Sequence, residues 1–341
     1  MVSFFGKTIV SFFFMGFVEL GNARFLSDFQ WKQQKMNYST VYVDPSGRGN
    51  FSTIQSAIDF VPQINQNWIC IIIKAGQYRE QVKIPREKPY IYLKGEENGK
   101  TIITWNAHDS IATDATFTSE ADNTIVESII FINSYNYPPK SNKNPRAVAV
   151  AAMISGDKSV FYKCEFLGLQ DTVWDVQGRH YFKLCTIEGA VDFIFGNGQS
   201  IYESCTISVN AGALDGLVGY ITAQARSNPK DGSGFVFRNC NVFGSGQTFL
   251  GRPWRDYARV IFYGCSISDV ITPQGWDAGR YVGKEKQLTF AEGSCKGMGS
   301  STSKRVSWEA KLSQQELQQL TSLSFIDNEG WITKQPLKVL L

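Results

Sequence analysis

The 341-residue chain has only two histidines, His108 and His180, and no G-x-S-x-G segment. This speaks against a Ser-His-Asp hydrolase built on a nucleophile elbow. No Cys/His spacing resembles a zinc site, so no metal and no cofactor is called for. The net charge is only +3, with no Lys/Arg block, which is too mild for a nucleic-acid protein. The same mild positive balance suits work on an acidic polymer. No apolar run reaches the ~20 residues that span a bilayer, so no membrane partner is expected. The apolar stretch Ile9 to Val18, preceded by Lys7 and followed by the small-residue exit Gly21-Asn22-Ala23, instead reads as a secretory signal over residues 1–23. The sequons at Asn37 and Asn50 are compatible with secretion.

What the chain does have is glycine, phenylalanine and a repeated cysteine frame. Thirty glycines and 24 phenylalanines favour turn-rich, aromatic-stacked β structure. Seven cysteines in a secreted chain first suggest disulfides. Five of them, however, sit in one frame: Cys164, Cys185, Cys205, Cys240 and Cys265 each lie two residues before Phe166, Ile187, Ile207, Val242 and Ile267, hence on the same strand face. Ile129 and Phe131 fit the frame with Ile in the cysteine slot. The intervals of 21, 20, 35 and 25 residues correspond to one solenoid coil, lengthened where loops are inserted. All-β coils on this period mean a stacked parallel β-helix, with cysteine as a small interior hydrophobe. A disulfide between neighbouring coils stays open at this point.

The fold class is therefore all-β, a single-domain parallel β-helix. Residues 24–40 form a loose N-terminal arm and 41–341 the domain. Apolar positions 54, 57, 58 and 61, with Ser52 or Thr53 ahead and Pro62 behind, predict a short helix that plugs one end of the solenoid. Strands are expected at 41–43, 68–73, 82–84, 90–93, 101–105, 115–117 and 125–132. Residues 136–145 make a surface excursion, and Ser307 to Leu320 a C-terminal helix on the outside or at the far cap.

With serine and metal chemistry disfavoured, carboxylates remain. Asp192 stands in the apolar run Gly189-Ala190-Val191-Asp192-Phe193-Ile194-Phe195-Gly196, where a buried carboxylate is costly without a partner. Gln170-Asp171-Thr172 leaves the preceding cysteine strand at nearly the same place. Coils stack about 4.8 Å apart, which puts Asp171 and Asp192 on one face, close together. Two such carboxylates cannot both ionise freely: one serves as acid, the other stays ionised as nucleophile. Arg252, in Leu250-Gly251-Arg252-Pro253-Trp254, offers a guanidinium for the ionised partner.

These stretches, together with Gly76-x-Tyr78-x-Glu80, resemble the plant pectin methylesterases from about Val41 to Trp331, in the short form without a pro-domain. The resemblance implies a right-handed β-helix and removal of methyl esters from the galacturonate units of cell-wall pectin, giving pectate and methanol. It implies Asp192 as nucleophile, Asp171 as acid and then base, Gln170 as oxyanion donor and Arg252 as the group holding Asp192. It implies Trp174, Phe195, Trp254 and Trp276 as sugar-stacking aromatics. Pectin is the implied partner, with a proteinaceous pectinesterase inhibitor as a further candidate, for a secreted monomer.

One position departs from the pattern. Counting back from Cys164 and Asp157, a strand over Val148-Ala149-Val150-Ala151-Ala152 should open with a second oxyanion glutamine, and Val148 stands there. Losing one such donor typically costs about 100- to 1000-fold in turnover. Arg146, two residues earlier on the same face, is a candidate replacement. The alternative is a catalytically weak homologue that binds wall pectin. A lyase or polygalacturonase on the same fold would need a calcium-carboxylate cluster or a different Asp constellation.

Overall fold

Each repeated cysteine frame folds as two short strands joined by a residue with left-handed backbone and the cysteine that follows it. Lys163, Leu184, Ser204 and Asn239 have φ of 53°, 56°, 52° and 54° immediately before their cysteines. That residue turns the chain through a corner without a loop, a conformation that costs a non-glycine residue about 1–2 kcal/mol. Residues 125–132, which alternation reads as one strand, are for this reason two, Thr124–Glu127 and Ile129–Asn133, with Ser128 at φ 56° between them. The computed structural model describes residues 38–96, 100–138 and 147–337. The expected signal segment, and the N-terminal arm up to residue 37, lie outside them.

Strands of successive coils pair in parallel and build sheets of ten, seven and eight strands. The pairing keeps each frame in register, as in Glu165↔Thr186 and Thr186↔Thr206. Side chains at equivalent positions therefore stack into interior columns. Phe161, Phe182, Tyr202, Phe237 and Phe262 form one such column, with ring centroids 4.9, 4.5, 4.7 and 4.4 Å apart. The cysteines form another. All seven are free thiols. The thiol of Cys185 donates to the Phe161 carbonyl of the preceding coil at 3.3 Å, and that of Cys240 to Tyr202 at 3.2 Å. Cys295, outside the five-fold frame, adds a rung by donating to Phe262 at 3.4 Å.

Helix α1 (Ile54–Phe60) buries Ile54, Ala57 and Ile58 in the same interior cluster as Val82 and Ile84, so it closes the N-terminal end. Thr53 caps it by accepting from Ser56 N. Glu80 supplies a second cap from another coil: its carboxylate accepts from Ile54 N at 3.0 Å and Gln55 N at 3.1 Å. This gives the glutamate of Gly76-x-Tyr78-x-Glu80 a structural task, since free N–H groups at a helix start favour a negative charge.

The second helix, α2, covers only Gln314–Thr321, starting later than the expected Ser307. A capping box between Ser313 and Glu316 sets its start. Leu312, Leu317 and Leu320 pack on the outer face of the ten-stranded sheet, against a cluster containing Ile201 and Val236. A further correction concerns residues 148–152. Only Ala152 enters a strand, Ala152–Ile154, and Val148 lies in the irregular segment ahead of it.

Candidate active site

The site forms at the corner where the chain passes from the eight-stranded to the seven-stranded sheet. One coil makes this passage between strands Glu165–Leu167 and Val173–Asp175, the next between Thr186–Gly189 and Ile194–Gly196. Asp171 (φ 58°) and Asp192 (φ 45°) both adopt left-handed backbone there, a region aspartate enters more readily than most residues. Gln170 pairs with Val191 and Val173 with Ile194, so the two aspartates hold the same place in adjacent coils. The Asp171 amide donates to the Val191 carbonyl at 3.0 Å. Gly189 makes the corner tight: a Cβ there would stand 2.2 Å from Cβ of Phe193.

Arg252 lies on strand Thr248–Pro253, two coils beyond Asp192. Its Nε donates to Asp192 Oδ1 at 2.8 Å and its terminal nitrogen to Oδ2, a bidentate grip. The aspartates thus sit in unlike environments. Burial, and then the neighbouring Asp192 charge, push the Asp171 carboxyl up to about 8, against a weaker downward pull from Arg252. Burial raises Asp192 as well, but the hydrogen bonds and charge of Arg252 oppose it. Of the two, Asp171 is therefore the carboxyl better placed to hold a proton, and Asp192, gripped by Arg252, the one better placed to be ionised.

Both carboxylates open into a cleft of about 350 Å³ lined also by Phe195, Ala223, Arg252, Trp254 and Arg280. Trp174 stacks on Phe195 at 5.5 Å between centroids, and Trp254 leans on Phe195 at 5.7 Å. Among the described residues the Gln170 amide has no hydrogen-bond partner. Val148 packs with Trp174 and Trp254 against Val150, Phe195 and Ala223, an apolar patch beside the carboxylates. Arg146 lies outside the described residues.

Trp276 requires correction. It is 1 % exposed and stacks on Phe290 at 4.8 Å inside the solenoid, so it does not line the cleft. Its bridge to Gly251 orients it to the interior, and strand register decides which face a side chain takes. Neither histidine lines the cleft. His180 is fully buried, with Nδ1 2.6 Å from Asp175 Oδ1 and Nε2 2.9 Å from the Gly156 carbonyl.

Sequence reasoning missed three groups here: Arg280 in the cleft, and Tyr220 and Asp277 behind Arg252. Arg280 sits in the short 3-10 turn Gly279–Tyr281, in an insertion with no periodicity to reveal it. Tyr220 had a usable signal, because it lies on the strand that follows Asp192 by one coil.

The β-helix, the asymmetric carboxylate pair and the aromatic cleft beside it narrow the classes of enzyme to which this chain can belong. The comparisons specify which. The pectinesterase family profile matches residues 40–329. "Probable pectinesterase 29" of Arabidopsis thaliana is 57% identical over 300 residues, covering 87% of this chain and 90% of the relative. A solved pectin methylesterase from carrot superposes with TM-score 0.78 at 30% identity, covering 87% of this chain and 96% of the other. A pectin methylesterase solved with a bound hexasaccharide superposes with TM-score 0.69 at 25% identity, over 85% and 97% of the two chains. The chain belongs to the pectinesterase family, carboxylic ester hydrolases acting on pectin, on a right-handed parallel β-helix.

Proposed function

We propose that this chain demethylates pectin by covalent catalysis through Asp192. An ionised Asp192 oxygen attacks the methyl-ester carbonyl of a galacturonate unit, and the carbonyl electron pair moves to oxygen. Gln170 donates to that oxyanion. When the C–O bond to the methoxy group breaks, Asp171 delivers its proton and methanol leaves. An acyl-enzyme anhydride remains on Asp192. Asp171, now a base, takes one proton from water as the water oxygen attacks the acyl carbon; the bond to Asp192 breaks and returns its carboxylate, and the galacturonic acid unit departs, giving its remaining proton to solvent. Trp174 and Trp254, both half-buried, offer faces for sugar stacking; Phe195, expected as a third, is 2 % exposed and instead braces the two tryptophans from beneath.

The observation that carries this reading is the asymmetry of the pair: Arg252 grips Asp192 by both oxygens, while Asp171 is raised to about 8. In the same reading the chain is a monomer acting outside the cell on cell-wall pectin, with an inhibitor protein as a second partner. The exposed Asn50 sequon suits that location.

Val148 supports a second reading, a weakly catalytic pectin binder, because a valine in the apolar patch donates no hydrogen bond to an oxyanion. Methanol release from highly methylated pectin separates the two. We expect release by the wild type, its loss in Asp192→Asn, and little gain in Val148→Gln if Gln170 suffices. A silent wild type that retains pectin affinity, rescued by Val148→Gln, would establish the binder instead. Methanol output unchanged in Asp192→Asn would sink the mechanism.

A further inference from the structure

The guanidinium of Arg252 does not reach Asp192 through empty space. Between their coils lies strand Gly219–Gln224, whose Thr222 pairs with Ile194 on one side and Gly251 on the other. Tyr220 precedes Thr222 by two residues, as Asp192 precedes Ile194. Its amide donates to the Ala190 carbonyl at 2.9 Å, which seats it against the corner that carries Asp192. The Arg252 guanidinium carbon sits 4.4 Å from the Tyr220 ring centroid, over its face. Phe249 of the following coil stacks on the same ring at 5.5 Å and 18°, in register with Tyr220. The Tyr220 hydroxyl donates to Asp277 Oδ2 at 2.9 Å, and Asp277 Oδ1 accepts from Gly279 N at 2.9 Å. Gly279 opens the turn that carries Arg280 into the cleft.

From this geometry we infer that Tyr220, anchored by Asp277, is a positioning residue for the reaction: its ring face holds the Arg252 guanidinium coplanar with the Asp192 carboxylate. The inference rests on the demethylation mechanism above. The physical reason is entropic as well as electrostatic. An arginine side chain spanning two coils has several rotatable bonds, and only one arrangement presents both donors to Asp192. An aromatic face under the guanidinium attracts the cation and removes the other arrangements. Phe249 keeps the ring from tilting and Asp277 keeps it from sliding. Burial and then Asp277 push the Tyr220 hydroxyl up to about 12, so it remains a donor throughout the working range.

The consequence is read in the acid limb of the pH profile, which follows ionisation of Asp192. The charged and titratable groups that face Asp192 are Arg252 from strand Thr248–Pro253 and Asp171 from the preceding coil; Tyr220 and Asp277 act through Arg252, and Arg280 shares the cleft. Loosening the arginine weakens the one interaction that lowers the Asp192 carboxyl. The acid limb should therefore move to higher pH.

The test is methanol release across pH by wild type, Tyr220→Leu, Tyr220→Phe and Asp277→Asn, with melting temperatures recorded for each. We expect kcat of Tyr220→Leu to fall roughly tenfold with KM little changed and the acid limb shifted upward, because a transition-state interaction is lost rather than substrate affinity. Tyr220→Phe keeps the ring but frees it from Asp277, so it should recover part of the rate and show a smaller upward shift of the acid limb than Tyr220→Leu. If Tyr220→Leu does not fold, an upward shift of the acid limb in Asp277→Asn carries the same expectation. Unchanged kcat and acid limb in folded Tyr220→Leu, or in folded Asp277→Asn where Tyr220→Leu fails, would overturn the positioning role while leaving the mechanism intact, provided Asp192→Asn is inactive. A wild type that releases no methanol would overturn the mechanism and this inference together.

Discussion

Arg252 reaches Asp192 from two coils away and grips both of its oxygens, while Asp171, one coil on the other side, stays outside that grip. Two chemically identical side chains in equivalent positions of a repeat are made different by a single cation. The repeat brings the carboxylates together, and the arginine divides the labour between them.

This division sets the pH dependence. Asp192 must be ionised and Asp171 protonated in the same molecule. Activity should rise with pH as Asp192 ionises and fall as pH passes through about 8, where Asp171 loses its proton. The measurement is initial methanol release from pH 4 to 10. A flat profile over that range would contradict the coupled pair.

The raised Asp171 carboxyl also carries a stability cost. Its folded value of about 8 lies above the ordinary 3.8, so the folded chain keeps a proton that the unfolded chain has released between those values. Its contribution to stability is full below about pH 4 and is lost as pH rises through about 8. Asp171→Asn removes the titration. It should raise the melting temperature at pH 8 by roughly 2–4 °C while abolishing turnover. The gain should disappear near pH 4. An equal gain at both pH values would contradict this origin.

The cysteine ladder predicts thiol behaviour. Six of the seven cysteines are buried and all are unpaired. A thiol reagent added to the native protein should react slowly and first at the half-buried Cys295, whereas the unfolded protein should yield all seven thiols without reductant. A lower yield after unfolding would reveal disulfides.

Glu80 caps helix α1 from a different coil, so its loss should act on stability and not on chemistry. Glu80→Ala should cost about 0.5–2 kcal/mol, the usual range for a lost N-terminal cap. Denaturant titration would measure it. Turnover per folded molecule should be unchanged; a tenfold fall would mean that the end plug communicates with the cleft.

The local sequence determined much of this protein, because a repeat imposes the same environment on equivalent residues. The cysteine frame set the coil period, the interior face and the parallel stacking. The equal offsets of Asp171 and Asp192 within adjacent coils then made their juxtaposition legible before any coordinates. Tertiary structure decided what the repeat leaves free. The left-handed residue at Ser128 split a run that alternation reads as one strand, since alternation does not register a corner. Register turned Trp276 inward, although its aromatic character suited the cleft equally well. Insertions of differing length set which side chains flank the pair, and so placed Tyr220, Asp277 and Arg280. A period determines which residues share a column; only the packed coils determine which side chains reach across columns, because that depends on backbone direction and side-chain length together.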